Sequence, residues 1–190
     1  SNELYANLTN AEAATTGALI SYDSDGFTLG ANGDLGRYNE NGSTYASWNW
    51  KAGGTGVSNT NGSITSTVSV GATSQQNWFS IVGYQGNGTA GATVGHGLNG
   101  AVPGMIIVKN RDTARVWPVY HGYNTSAPET EWLRLNDTNA TADESIIWND
   151  TEPTSSVFTL GSSVGVNESG DNFIAYCFHS VSGYSKFNTY

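Results

Sequence analysis

The chain has 190 residues, of which 37% are hydrophobic, and it carries a formal net charge of −9 with only seven Lys and Arg. So few scattered basic residues cannot form the basic surface that a nucleic-acid partner needs, and no apolar run approaches the roughly 18 residues of a membrane span. Charged residues make up only 12%. Gly, Asn, Ser and Thr take their place, and this composition favours strands and turns over helices.

The first predicted elements lie within residues 27–50. In residues 27–30 (FTLG) the two large side chains alternate with Thr, which places both on one face of a strand, and Gly ends it. A glycine-rich turn leads to a second predicted strand at residues 45–50 (YASWNW). Ala46, Trp48 and Trp50 share one face of this strand and are predicted to lie in the core.

Residues 51–60 (KAGGTGVSNT) are predicted to be a linker, because they are rich in Gly and Ser and carry no core residues. The linker separates an N-terminal β half-repeat, residues 1–50, from the main β-sandwich module, residues 61–190. The two parts could still pack as one domain. Alternating or continuous apolar residues predict further strands in the main module at 64–70, 78–84, 105–108 and 116–120.

The end of the chain repeats its beginning at a period near 130 residues. FTLG recurs at residues 158–161, and three other matches join residues 139–142 to 10–13, 167–170 to 39–42, and 173–178 to 45–50.

The last of these matches predicts a strand at residues 173–178. It places Ile174, Tyr176 and Phe178 at the predicted core positions. Phe173, Ala175 and Cys177 occupy the other face, which suggests a central strand covered on both sides.

The density of short strands and Gly, Asn and Asp turns predicts an all-β protein. The expected form is an antiparallel β-sandwich with jelly-roll-like topology and an internal pseudo-repeat. Because the chain begins inside one copy and ends where another would start, we expect a neighbouring subunit to complete its terminal strands, giving a filament or fibre.

Several segments carry a resemblance to a known family: WFSIVGYQGNGTAGATVGHGL (78–98), VPGMIIVKNRD (102–112), WPVYH (117–121), PTSSVFTLG (153–161) and GDNFIAYCFHSVSGYSKF (170–187). Together they resemble a repeat family found in structural proteins of marine bacteriophages, over roughly residues 45 to 190. The resemblance implies a tail-fibre, appendage or other virion-surface protein, extracellular after release, whose partners are copies of itself or other virion proteins. It implies no catalytic residues. His179 departs from the family pattern, where a small or acidic residue is expected.

No catalytic or metal-binding constellation is visible in the sequence. His96, His121 and His179 lack the short spacing of zinc ligands. The acidic residues sit in turn-like stretches rather than as the placed pair of a glycosidase, and no G-x-S-x-G motif occurs. We predict a non-enzymatic protein without a cofactor. A structural calcium ion in the loop at residues 167–171 is possible, but the loop lacks the ordered acidic spacing of an EF-hand.

Aromatic side chains are the better candidates for binding, because sugar rings stack on Trp and Tyr while amides satisfy their hydroxyls. The predicted glycan-binding residues are Trp117, Tyr120, His121, Tyr123 and Asn124. Alternation sends Trp117 and Tyr120 to opposite faces, so part of the set must be core, and the same residues could form a subunit interface.

The sequence leaves three functions open. The leading hypothesis is a self-assembling virion-surface module: a phage fibre, appendage or capsid decoration. The alternative is a carbohydrate-binding receptor or adhesion module for a host surface glycan, and a depolymerase is a third.

Overall fold

A computed structural model describes residues 2–30, 38–70 and 78–189. Its elements, in chain order, are β1 (Asn2–Glu3), β2 (Ala13–Ala14), β3 (Leu19–Tyr22), β4 (Phe27–Leu29), β5 (Val57–Asn59), β6 (Ser66–Val70), β7 (Phe79–Gln85), β8 (Ala92–Gly95), β9 (Met105–Asn110), β10 (Pro118–His121), β11 (Glu131–Arg134), β12 (Ala142–Asp143), α1 (Ser145–Trp148), β13 (Val157–Leu160), α2 (Val164–Asn167) and β14 (Asn172–Phe178). No helix among these described residues is long and apolar enough to cross a membrane.

The chain divides into two compact units. Unit 1 comprises Ser1–Tyr5 and Glu12–Trp50, and unit 2 comprises Ala6–Ala11 and Lys51–Tyr190. The segment predicted as a linker, 51–60, belongs to unit 2 and contains β5, which pairs with β6. Residues 57–59 therefore form an edge strand of the sheet and are not a linker, because they pair antiparallel with β6.

Unit 2 contains an eight-stranded antiparallel sheet in the order β12-β11-β10-β9-β14-β7-β6-β5 and a separate two-stranded sheet, β13-β8. One buried cluster joins the two sheets and both short helices. In it, the Tyr84 ring stacks on Phe173 at 5.2 Å and meets Phe158 of β13 edge-on at 6.1 Å. This packing of unequal layers confirms the predicted all-β antiparallel class and is consistent with a β-sandwich. The jelly-roll-like topology and the pseudo-repeat stay predictions.

Strand β14 lies at the centre of the large sheet, between β9 and β7, as its two apolar faces predict. The more deeply buried face of β14 is the opposite of the one predicted. Phe173, Ala175 and Cys177 are fully buried, whereas the predicted core residues at 174, 176 and 178 are half-buried. The reason is that the first set faces the β8–β13 layer and its helices.

Unit 1 contains two hairpins, β1–β2 and β3–β4. The strand predicted at residues 45–50 is wrong for this chain, since these residues belong to no strand or helix. Trp48 and Trp50, predicted as core, are 76% and 53% exposed, and Phe27 in β4 is also exposed. Alternation indicates a surface able to be buried, but burial requires a neighbouring layer, and none of the described strands of unit 1 pairs with residues 45–50.

The described terminal strands are paired within their own chain. β1 pairs with β2, and β14 has neighbours on both sides. The expectation that a neighbouring subunit completes the terminal strands is therefore wrong for this structure.

Candidate functional site

The aromatic stretch predicted to bind glycans lies on and around β10, between β9 and β11. Trp117 and Tyr120 are each only 4% exposed. The Trp117 indole N–H donates to the Leu8 carbonyl at 3.0 Å, and the Tyr120 ring packs edge-on against Trp148. Both aromatic rings are interior side chains, because β10 is covered on both faces, and neither presents a surface to a sugar.

The other three predicted residues come together at the surface after β10. The Tyr123 side chain is 45% exposed, and its backbone N–H donates to His121 Nδ1 at 3.3 Å. The Asn124 amide donates to the Thr141 hydroxyl at 3.0 Å. A smaller polar and aromatic patch of His121, Tyr123 and Asn124 is therefore what remains of the predicted site.

Lys109 is a buried cation that the sequence analysis missed. Its side chain is fully buried, and its ammonium group donates to the carbonyls of Thr9 at 2.9 Å and Arg115 at 3.0 Å. The ammonium also lies 5.8 Å from the centroid of the Trp117 ring, within cation–π range. Burial lowers the pKa of Lys109 to about 8. Lys109 and Trp117 together hold the carbonyls of Thr9 and Leu8 within unit 2.

The three histidines do not form a metal site. His96 is fully buried; its Nδ1 accepts from the Leu98 N–H at 3.1 Å, so Nε2 carries the proton and donates to the Thr154 carbonyl at 3.2 Å. Burial lowers the pKa of His96, and the bond to Thr154 opposes this only in part. In the part of the chain that the structure describes, no three His, Cys, Asp or Glu side chains are grouped to hold a metal.

The loop considered for calcium uses its oxygens within the fold. The Asn167 side-chain oxygen accepts from the Asn87 N–H at 2.9 Å. The Asp171 carboxylate accepts from the Asn110 amide at 2.8 Å and the Thr113 hydroxyl at 2.9 Å. These bonds tie the turn between α2 and β14 to the neighbouring loops, which gives both side chains a structural role.

A shallow groove of about 440 Å³ crosses β6, β7 and β14. Its lining combines polar side chains with the apolar Ile81 and Ile174, and Gly83 is the cross-strand partner of Ile174. A side chain at position 83 would have room, since the nearest atom to an added Cβ is the Thr67 carbonyl oxygen at 3.8 Å. The groove is thus a concave surface that a single substitution can fill.

Residues 45–50 form an exposed aromatic segment of unit 1. The Tyr45 hydroxyl accepts from the Glu40 N–H at 2.9 Å, and the Asn49 amide donates to the Ser47 hydroxyl at 3.1 Å. With Trp48 and Trp50, three large rings lie within six residues that carry no charge. Sequence patterning alone could not find this surface, because the same pattern is typical of a core strand.

The fold and these surfaces define an all-β antiparallel protein with an exposed aromatic segment. The chain belongs to the family described as a domain of unknown function, DUF7483, whose model matches residues 1–190. No curated protein and no solved structure matches the chain.

Proposed function

We propose that this protein is a non-enzymatic structural module of a virion surface that works by self-assembly, as part of a phage fibre, an appendage or a capsid decoration. The observation that carries self-assembly is the number of large apolar side chains that unit 1 exposes. Monomeric proteins expose such residues singly, and clusters of them mark interaction surfaces. The virion setting rests on the resemblance of residues 45–190 to bacteriophage structural repeats.

The hairpin β3–β4 is one such cluster. Tyr22 and Phe27 are cross-strand partners and both are exposed, at 80% and 37%. Ile20, two residues before Tyr22 on β3, is 64% exposed. Aromatic residues are enriched at the centre of protein interfaces, and a cross-strand aromatic pair offers a rigid contact at low cost in side-chain entropy.

The titratable groups with strongly shifted pKa values support a structural role over a catalytic one. Burial raises the pKa of the Cys177 thiol to about 12, which disfavours a thiolate nucleophile. Burial also raises the pKa of Tyr84, whose hydroxyl donates to the Val166 carbonyl at 2.8 Å. Each of these groups packs inside the sheet layers.

Light scattering on size-exclusion fractions tests this proposal. We expect the wild-type chain to form a dimer or larger species, and the double variant Ile20→Ser/Tyr22→Ser to shift toward monomer. Val57→Ser is the control, because Val57 is 64% exposed, as Ile20 is, but lies in unit 2. A wild-type chain that stays monomeric at millimolar concentration would refute self-assembly.

A carbohydrate-binding adhesion module is the second candidate, and the exposed patch of His121, Tyr123 and Asn124 favours it. An array of bacterial surface glycans tests it with two variants. Tyr123→Ala removes the exposed ring, and Gly83→Leu fills the groove across β6, β7 and β14. Loss of glycan binding in only one of the two variants shows which surface binds the glycan. If no glycan on the array binds the wild-type chain, this candidate function is excluded.

A further inference from the structure

Asparagine followed by glycine occurs five times in the chain, with the asparagine at residues 32, 41, 61, 87 and 99. Such a pair can lose its side-chain amide without an enzyme. Glycine favours the reaction because it has no Cβ to crowd its nitrogen and its backbone rotates freely. The pair at residue 32 lies outside the described residues, and the structure describes the other four.

The reaction has two steps and needs only water as a co-reactant. The backbone nitrogen of the glycine attacks the side-chain carbonyl carbon of the asparagine, and a C–N bond forms to close a succinimide ring. The side-chain nitrogen leaves as ammonia and takes the proton of the glycine N–H. Water then opens the ring at either carbonyl, which leaves aspartate or isoaspartate. The glycine N–H must therefore be free to turn toward the asparagine side chain.

The pair Asn87–Gly88 is held by hydrogen bonds at both reacting groups. The Gly88 N–H, which would attack, donates to the Asn167 carbonyl at 2.9 Å. The Asn87 side-chain oxygen accepts from the Thr89 N–H at 2.9 Å. Asn167 is fully buried, so the attacking group is anchored to the interior of unit 2. The reaction at this pair requires both bonds to break first.

The pair Asn61–Gly62 is held by close packing against β8. A Cβ added at Gly62 would lie 2.3 Å from the Thr93 carbonyl oxygen. The next two residues also bond to this strand: the Ser63 N–H donates to the Thr93 hydroxyl, and the Ile64 N–H donates to the Thr93 carbonyl, both at 2.9 Å. The glycine cannot turn toward the Asn61 side chain unless these contacts open.

The pairs Asn41–Gly42 and Asn99–Gly100 each form the central residues of an exposed turn. In each turn the residue after the glycine donates its N–H to the carbonyl of the residue before the asparagine, at 3.2 Å in both cases. That distance is at the long end of the range for N–H···O bonds. Within residues 2–30, 38–70 and 78–189, no group accepts from the N–H of either glycine or bonds to the side-chain amide of either asparagine.

We infer that the folded chain deamidates at Asn41 and Asn99, whereas the other two described pairs are protected by the fold. Each exposed turn opens when one long backbone bond breaks. The glycines of the protected pairs move only when contacts with β8 or with the buried Asn167 are lost. Local openings that break few contacts need the least free energy and are therefore the most populated.

The modification does not depend on the proposed self-assembly. Each conversion adds one negative charge to a chain of net charge −9. Isoaspartate also adds one carbon to the main chain inside the turn. The two turns are thus the places at which an ageing protein changes both its charge and its backbone.

Peptide mapping by mass spectrometry tests the inference on the full chain, incubated at mildly alkaline pH so that the attacking nitrogen loses its proton more readily. Deamidation replaces NH2 by OH, and the change in mass is assigned to each pair separately. We expect the pairs at 41 and 99 to convert at least about tenfold faster than those at 61 and 87. In concentrated urea this gap should disappear, because every one of these asparagines is followed by glycine.

Amide hydrogen exchange followed by NMR gives a second measurement. We expect the Gly88 N–H to be protected, and the N–H groups of Gly42 and Gly100 to exchange quickly.

Each contrary outcome overturns the inference. Equal conversion at the four pairs of the folded chain, or faster conversion at 61 or 87, shows that the fold does not protect as described. A gap that persists in urea assigns the difference to the local sequence. A folded chain that converts at none of the four, or turn glycines as protected as Gly88, shows that the turns do not open. Conversion at one turn alone overturns the assignment of the other.

Discussion

His96 shows how a residue type that suggests metal chemistry serves the fold instead. Both ring nitrogens are engaged by backbone groups, one as acceptor and one as donor, and the backbone carbonyl of His96 accepts from the Ser80 hydroxyl at 2.6 Å. A second proton would have to sit on Nδ1, where the Leu98 N–H already points. The buried neutral imidazole is therefore part of the native state.

The pH dependence of stability follows from this arrangement. The pKa of folded His96 is lowered below its usual 6.5, so the unfolded chain binds more protons as pH falls below 6.5, and stability decreases through that window. We expect the urea midpoint of the wild type to be lower at pH 5.5 than at pH 7.5. His96→Asn should be less stable than the wild type at pH 7.5, and its urea midpoint should change less between the two pH values. An equal slope in His96→Asn would contradict the assignment.

A second prediction concerns the contribution of Lys109 to the free energy of unfolding. Lys109→Ala removes the donor from two carbonyls and leaves a cavity, so we expect a loss of about 3 kcal/mol in the free energy of unfolding. The exposed Lys186→Ala should change it by less than about 0.5 kcal/mol. Chemical denaturation measures both, and equal values would show that the contacts of the Lys109 ammonium contribute nothing net.

At the scale of elements, strand positions follow from the sequence better than their burial does. Predicted strands at 64–70, 78–84, 105–108 and 116–120 correspond to β6, β7, β9 and β10 within a few residues, because local alternation and turn residues determine where extended chain begins and ends. The face that is buried, and whether a strand finds neighbours at all, depends on distant segments. Hence the sequence could not separate residues 45–50 from β14.

A pair of substitutions in β14 tests the face assignment. Phe173→Ala should cost about 3–5 kcal/mol, because the ring is fully buried against Tyr84. Tyr176→Ala, on the half-buried face, should cost clearly less. Thermal or urea unfolding of the two variants measures both losses of unfolding free energy. A larger loss in Tyr176→Ala than in Phe173→Ala would support the core face predicted from the sequence.

The candidate site was even less predictable from sequence than the fold. Of the five residues predicted to bind glycans, Tyr123 and Asn124 are exposed and His121 is half-buried, because aromatic composition does not distinguish a platform from a core. The Trp117 indole donates to the carbonyl of Leu8, which lies 109 residues earlier in the chain. Long-range contacts of this kind leave no local pattern.

At the scale of the whole molecule, the proposed association between copies depends on two opposing free-energy terms. Exposed aromatic and aliphatic side chains of unit 1 favour contact between copies, while a net charge of −9 on each copy opposes it. Added salt screens the repulsion and leaves the apolar contact largely intact, since the Debye length falls from about 30 Å at 0.01 M to about 8 Å at 0.15 M. Association should therefore strengthen with ionic strength over this range.

Sedimentation velocity of the full chain, over a concentration series at 0.01 M and 0.15 M salt, tests self-assembly most directly. We expect a sedimentation coefficient that rises with protein concentration, and that rises further at 0.15 M than at 0.01 M salt. A single monomeric species at every concentration and both salt levels would contradict it.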